Sequence, residues 1–118
     1  MAYHSFEELA VWERGCDLAV QVYEELRDTR EFAFRDQMIR SSLSIPSNIA
    51  EGAERGTDPD FIRFLYYSKG SSGELRTQAH VARRVGILTE ERAHEIITET
   101  REVSAMLQGL IRSIGSKS

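Results

Sequence analysis

Few residues in this 118-residue chain have the type and spacing for chemistry, and they are scattered along it. Glu91 and His94 make one Glu-x-x-His. A di-iron site in a helical bundle needs two such pairs and two further inward glutamates. Here the pair points away from the apolar stripe of its helix, so neither a metal nor any other cofactor is expected. His4, His80 and His94 have no second ligand at a recognised spacing and no serine or cysteine arranged beside them for nucleophilic attack. Cys16 falls within an apolar stripe, where a thiol behaves as a small hydrophobe and the thiolate is disfavoured. Gly70-Ser-Ser-Gly73 lacks the lysine and the strand-to-helix context of a phosphate loop and reads as a close-packing site. No catalytic residue is assigned, and the chain is not expected to be an enzyme.

Two polar constellations remain. Asn48, Glu51, Arg55 and Glu74 are expected to meet where the second and third helices cross, as a structural hydrogen-bond network in preference to an acid–base pair. Lys69, Arg76 and Arg83 recur at heptad spacing and make a basic strip that Arg84 extends. The strip could pair with Asp17 and Glu24 of another subunit. It could instead contact nucleic-acid phosphates, with Arg40 and Arg55 beside it. Solvation of a helix face is the commonest fate of such a strip. The whole chain carries a formal charge of -4, so any basic binding surface must be local.

Four helices must position these residues, at about 5–28, 34–54, 59–85 and 89–114. In the first, Leu9, Trp12, Cys16, Ala19, Val20, Tyr23 and Leu26 recur at steps of three and four, behind Ser5 and Glu8 spaced as a capping box. In the second the stripe is Phe34, Met38, Ser41, Ile45, Ile49 and Gly52, with Pro46 predicting a kink or a short break after Ser42. In the third it is Phe61, Phe64, Leu65, Ser68, Ser72, Leu75, Ala79 and Ala82, started by Thr57 or Asp58 ahead of Pro59 and ended near Gly86. The fourth, capped by Thr89, carries Ala93, Ile96, Ile97, Thr100, Val103, Leu107, Leu110, Ile111 and Ile114. Four stripes joined by short turns predict an all-α, antiparallel up-down-up-down bundle, one domain over residues 1–118.

There is more apolar surface than one bundle needs. Ile39, Leu43, Pro46 and Ala50 lie on a second face of the second helix. Ile62 and Tyr66, beside Gly70, Gly73 and Thr77, lie off the stripe of the third. A broad core could absorb them, but burial between copies of the chain is the better expectation, with Ile39, Leu43, Ala50, Ile62 and Tyr66 as interface residues. A single cysteine, no apolar run of membrane-spanning length and no signal-peptide pattern near Met1 give a cytoplasmic protein with no membrane partner as the default.

Leu9-Ala-Val-Trp12, Phe34-Arg-Asp-Gln37, Ser44-Ile-Pro-Ser-Asn-Ile-Ala-Glu-Gly52, Phe61-x-x-Phe-Leu65 and Gly70-Ser-Ser-Gly-Glu-Leu75 resemble the bacterial four-helix-bundle family named for 23S rRNA intervening sequences, over about residues 5 to 112. The resemblance implies a homopentamer with no established biochemical activity, since the family name records a genetic location. A related branch, the accessory variability determinant of diversity-generating retroelements, is similar in fold and assembly and binds a reverse transcriptase and nucleic acid. The roles this leaves open are a self-assembling scaffold or adaptor and an accessory protein that binds RNA or a nucleic-acid-processing partner, ribosome-linked or reverse-transcriptase-linked.

Overall fold

Thr57 shows how local chemistry starts a helix here. Its extended backbone turns the side chain to accept from the Asp60 amide (3.3 Å), and Pro59 sits in the first turn, where its missing amide proton is harmless. Thr89 does the same for the Arg92 amide (3.1 Å). Gly56 and Gly86, at φ +91° and +83°, turn the chain out of the preceding helices in a region that side-chain-bearing residues avoid. The computed structural model describes residues 5–116, and His4 lies outside them. Within that range run α1 (Ala10–Glu25), α2 (Phe32–Glu54), α3 (Asp58–Arg84) and α4 (Glu90–Gly115), with no strand among the described residues. No helix is long and apolar enough to cross a membrane.

The helices form an antiparallel four-helix bundle, 46 Å long and 19 Å across, in which α1 packs on α2 and α4 and α3 packs on α2 and α4. The apolar stripes of α3 and α4 are buried as expected, apart from half-buried Leu110. The stripe of α2 is buried except for half-buried Phe34, and Ser42 and Pro46 join it. The helix runs unbroken through Pro46, so the alternative of a break does not occur.

Two expectations fail at α1. Ser5 accepts from the Glu7 amide (3.1 Å) and caps only a single 3-10 turn, Phe6–Glu8, with no reciprocal bond from Glu8. The chain is extended at Leu9, which packs on the core, and Phe6 meets Trp12 edge to face at 5.4 Å; the regular helix starts after that detour. The stripe also changes face. Val11, Gly15, Leu18, Ala19, Val22 and Leu26 are buried, while Val20 and Tyr23 are more than half exposed and Trp12 and Cys16 are half-buried. The reason is Gly15. A Cβ there would stand 3.3 Å from Ile45 Cγ2 and 3.4 Å from Pro46 Cδ, so α1 touches α2 along a row whose smallest member carries no apolar signal.

Small residues set the other contacts too, though not at the expected place. A Cβ on Gly70 or Gly73 would meet nothing within 4 Å, so these are not close-packing sites within the bundle. A Cβ on Gly52 would come within 2.6 Å of Phe64 Cβ and 3.3 Å of the Phe61 carbonyl. The seam continues in hydroxyls. Ser68 donates to the Ile45 carbonyl (2.8 Å), Ser72 to the Thr100 carbonyl (2.9 Å), and Ser104 to Ser72 Oγ (2.9 Å), so the buried hydroxyls of Ser68 and Ser72 on α3 are paired.

Replacing Gly52 with alanine should lower the stability to chemical denaturation by about 1–3 kcal/mol, because the facing atoms belong to rigid backbone and a Cβ. Gly109, with nothing within 4 Å, should gain up to about 1 kcal/mol from the same change. Glu25 offers a pH test. Burial pushes its carboxyl above the ordinary range, partly offset by the hydrogen bond from Gln21, and Oε2 has no hydrogen-bond partner. The folded state thus holds this proton more tightly than the unfolded chain. The resulting penalty is absent below the unfolded pKa of about 4.3 and complete above the raised folded value. Glu25→Gln should therefore be more stable than the parent at neutral pH, and that advantage should shrink as the pH falls through this window.

Candidate functional site

The face of α1 that the core does not use becomes one wall of a groove. Cys16, Ala19, Val20 and Tyr23 on α1 and Ile39, Leu43 and Pro46 on α2 enclose about 370 Å³ with almost no polar atom on the walls. Val20 is 56%, Tyr23 52% and Leu43 52% exposed, a cluster of large apolar side chains at the surface, with the Arg27 guanidinium 5.4 Å over the Tyr23 ring. The floor follows from Gly15: with no side chain of its own at that point, α1 seats on the Ile45 and Pro46 side chains of α2. Exposed Glu13, Asp17 and Glu24 lie on the same helix as the groove's α1 wall. Burial pushes the Cys16 thiol above its ordinary pKa, with Glu13 and Asp17 adding to the effect, so it stays a neutral wall of the groove.

Of the residues expected at an interface, Ile39 and Leu43 line this groove and also a neighbouring shallow one with Asp36, Arg40, Ser44 and Ser47. Ala50 and Ile62 are half-buried, Ile62 packing against the core, and neither lines the groove. Tyr66 is 50% exposed on α3, next to equally exposed Tyr67, which packs edge to face on Phe64 at 5.3 Å. Sequence reasoning missed Cys16, Val20 and Tyr23 as surface residues because it had placed them in the core. The pattern of α1 contains two apolar rows and does not by itself rank them.

The basic strip lies along α4 and is largely occupied. Lys69 Nζ donates to Gln108 Oε1 (2.7 Å). Arg76 donates to Thr100 Oγ1 (3.0 Å) and Ser104 Oγ (2.9 Å), and Arg83 reaches Glu90 (3.4 Å). Arg84 is exposed. The expected polar network divides. Arg55 pairs weakly with Glu51 (3.8 Å) and Asp60 (3.9 Å) and lies 5.0 Å over the Phe64 ring. Asn48 instead bonds the Ser44 carbonyl of its own helix (2.8 Å), and Glu74 is exposed away from that group. The shortest ion pair among the described residues is one the spacing did not suggest. Arg14 of α1 holds Glu99 through two bonds (2.7 and 2.9 Å) and Glu102 through a third (3.0 Å) on α4, which raises the guanidinium's pKa still further.

His80 on α3 and His94 on α4 line one cleft between these helices. Among the described residues no group of three or more His, Cys, Asp or Glu side chains is placed to hold a metal ion. What the best-formed apolar site can do is bind a complementary apolar surface.

If Arg76 is a structural tie between α3 and α4, then Arg76→Ala should destabilise the fold by about 1.5–3 kcal/mol, the range for hydrogen bonds to a charged group. Arg84→Ala should stay within about 0.5 kcal/mol of the parent. Thermal or denaturant unfolding of the two variants measures the difference.

A family model described as 23S rRNA-intervening sequence protein matches residues 7–109. No curated protein matches the chain significantly. Among solved structures, a protein of unknown function from the S23 ribosomal protein family of Bacteroides thetaiotaomicron superimposes with a TM-score of 0.81. It is 25% identical, and the match covers 86% of this chain and 98% of that one. With the family model spanning most of the bundle, the chain belongs to the 23S rRNA-intervening sequence protein family.

Proposed function

We propose that this protein is a non-enzymatic, self-assembling scaffold or adaptor, a cytoplasmic ring of five copies in which the α1–α2 groove of one copy receives the exposed tyrosines of α3 from the next. The observation that carries this reading is the uncovered apolar groove lined by Val20, Tyr23 and Leu43. A concave apolar surface does not complement itself across a two-fold axis, whereas Tyr66 and Tyr67 offer protruding apolar surface on a different helix. Contacts between two different faces of identical subunits give a ring where the rotation between neighbours closes and an open filament where it does not. Gly70 and Gly73, with open space above them, leave α3 smooth beside Tyr66 and Tyr67 and let a neighbouring helix approach. RNA binding through the basic strip has less support, because Lys69, Arg76 and Arg83 already have partners on α4.

Light scattering coupled to size exclusion should give a salt-resistant mass near five subunits at micromolar protein. Val20→Glu with Leu43→Glu should give a folded monomer, as should Tyr66→Glu with Tyr67→Glu, since all four side chains are exposed. An equimolar mixture of the two variants should form one-to-one dimers, because it restores one intact groove and one intact ridge. A parent protein that stays monomeric overturns self-assembly; variants that stay apart on mixing overturn the groove-to-ridge pairing.

A further inference from the structure

α1 carries one wall of the apolar groove, yet it is the helix least tied to its neighbours by polar bonds. Among the described residues, α2 and α3 are joined by Ser44 donating to Ser71 Oγ (2.6 Å) and Ser68 donating to the Ile45 carbonyl (2.8 Å). Lys69, Ser72, Arg76 and Arg83 join α3 to α4. The polar tie of α1 to another helix is the Arg14 guanidinium. Its Nε and Nη2 donate to the two carboxylate oxygens of Glu99 (2.7 and 2.9 Å), and Nη2 also reaches Glu102 (3.0 Å). Nη1 lies 3.7 Å from the Met106 sulfur, so the whole planar group is seated on α4. Paired bonds between two planar groups fix direction as well as distance. At about 100° per residue, Arg14 stands roughly opposite the row of Cys16, Val20 and Tyr23 around the helix. Holding Arg14 on α4 therefore turns that row away from the bundle. The contact with α2 leaves this angle loose, because at Gly15 a bare backbone rests on Ile45 and Pro46 with no side chain to interlock. Buried Val11, Leu18 and Val22 choose the inward face, but apolar burial is non-directional.

We propose that Arg14 is the positioning residue of the groove: its clamp on Glu99 and Glu102 sets the rotation of α1, and with it the placement of Val20 and Tyr23 against Leu43 that a second copy of the chain needs. The assembly half of this inference rests on the groove-to-ridge reading above. The rotational half stands by itself, because Cys16 lies on the same wall and reports the wall's position. Releasing the clamp lets α1 rock on Gly15, and a wall that moves does not hold a partner's side chain at one distance. Glu102 is exposed and Glu99 half-buried, so water replaces the guanidinium at both carboxylates and the bundle stays folded.

The test compares Arg14→Gln, Glu102→Gln and Arg76→Ala in the full chain. Each is followed by denaturant unfolding, by the rate at which iodoacetamide alkylates Cys16 at one fixed pH, and by assembly mass across a dilution series. Alkylation is read in the Tyr66→Glu, Tyr67→Glu background, where the groove is intact and no ridge from another copy covers the thiol. Arg14→Gln should speed alkylation about tenfold and weaken subunit association about tenfold, the low end for losing hydrogen bonds to a charged group. Glu102→Gln keeps the Glu99 pair, should move both readings less in the same direction, and decides the matter if Arg14→Gln does not fold. Arg76→Ala breaks a tie of the α3–α4 seam, so it should lower stability while leaving alkylation and association at the parent values. Unchanged alkylation in both α1–α4 variants, or an equal rise in Arg76→Ala, would overturn the positioning role of Arg14. Faster alkylation with undiminished association overturns its link to assembly. A parent chain that stays monomeric overturns the assembly reading, and the alkylation rates then still decide whether Arg14 sets the rotation of α1.

Discussion

Close approach at α2 governs this bundle. Gly15 lets α1 rest on Ile45 and Pro46, and Gly52 lets α3 bring Phe61 and Phe64 against the end of α2. Helices that come this near leave no space for mobile side chains between them, so the buried polar groups must be short and bonded across the seam. Ser68 and Ser72 meet that requirement by donating to carbonyls of α2 and α4, and Arg76 extends the seam outward by donating to Thr100 and Ser104. The register of α3 against both neighbours follows from these bonds as much as from apolar burial.

The groove is a consequence of the same constraint. Because α1 presents its glycine row to α2, the competing row of Cys16, Val20 and Tyr23 is displaced to the outside, where Ile39 and Leu43 of α2 meet it. An apolar surface on the outside of a small bundle is a liability for a monomer and an asset for an assembly. The exposed tyrosines of α3 have the same character. A subunit with two different uncovered apolar faces has the makings of a ring, and that is the physical basis of the scaffold reading.

Charged residues divide by geometry rather than by sequence spacing. The heptad row of Lys69, Arg76 and Arg83 looks like one basic surface, yet each member reaches a different acceptor on α4. Arg14 has no regular spacing with anything and makes the shortest ion pair among the described residues, because α1 and α4 place Glu99 and Glu102 beside it. His80 and His94 have no motif in common and line one cleft only because the chain doubles back at Gly86.

Helical periodicity by itself determined the number of helices, the whole buried stripe of α3, nearly all of those of α2 and α4, and the caps at Thr57 and Thr89. These are readable because 3.6-residue repeats and capping bonds are local. The family resemblance was also legible, and a family model matches residues 7–109. Which of two apolar rows on α1 faces inward was decided only in three dimensions, since the deciding residue, Gly15, has no side chain to enter any pattern and acts through the space it leaves for Pro46. The same holds for Gly52 against Gly70 and Gly73: all are glycines in helices, and only the position of the neighbouring helix separates the one that must stay small from the two that face open space. The groove and the α3–α4 cleft likewise exist only in the folded bundle, because each is a relation between side chains on different helices, and that relation depends on packing distance and register.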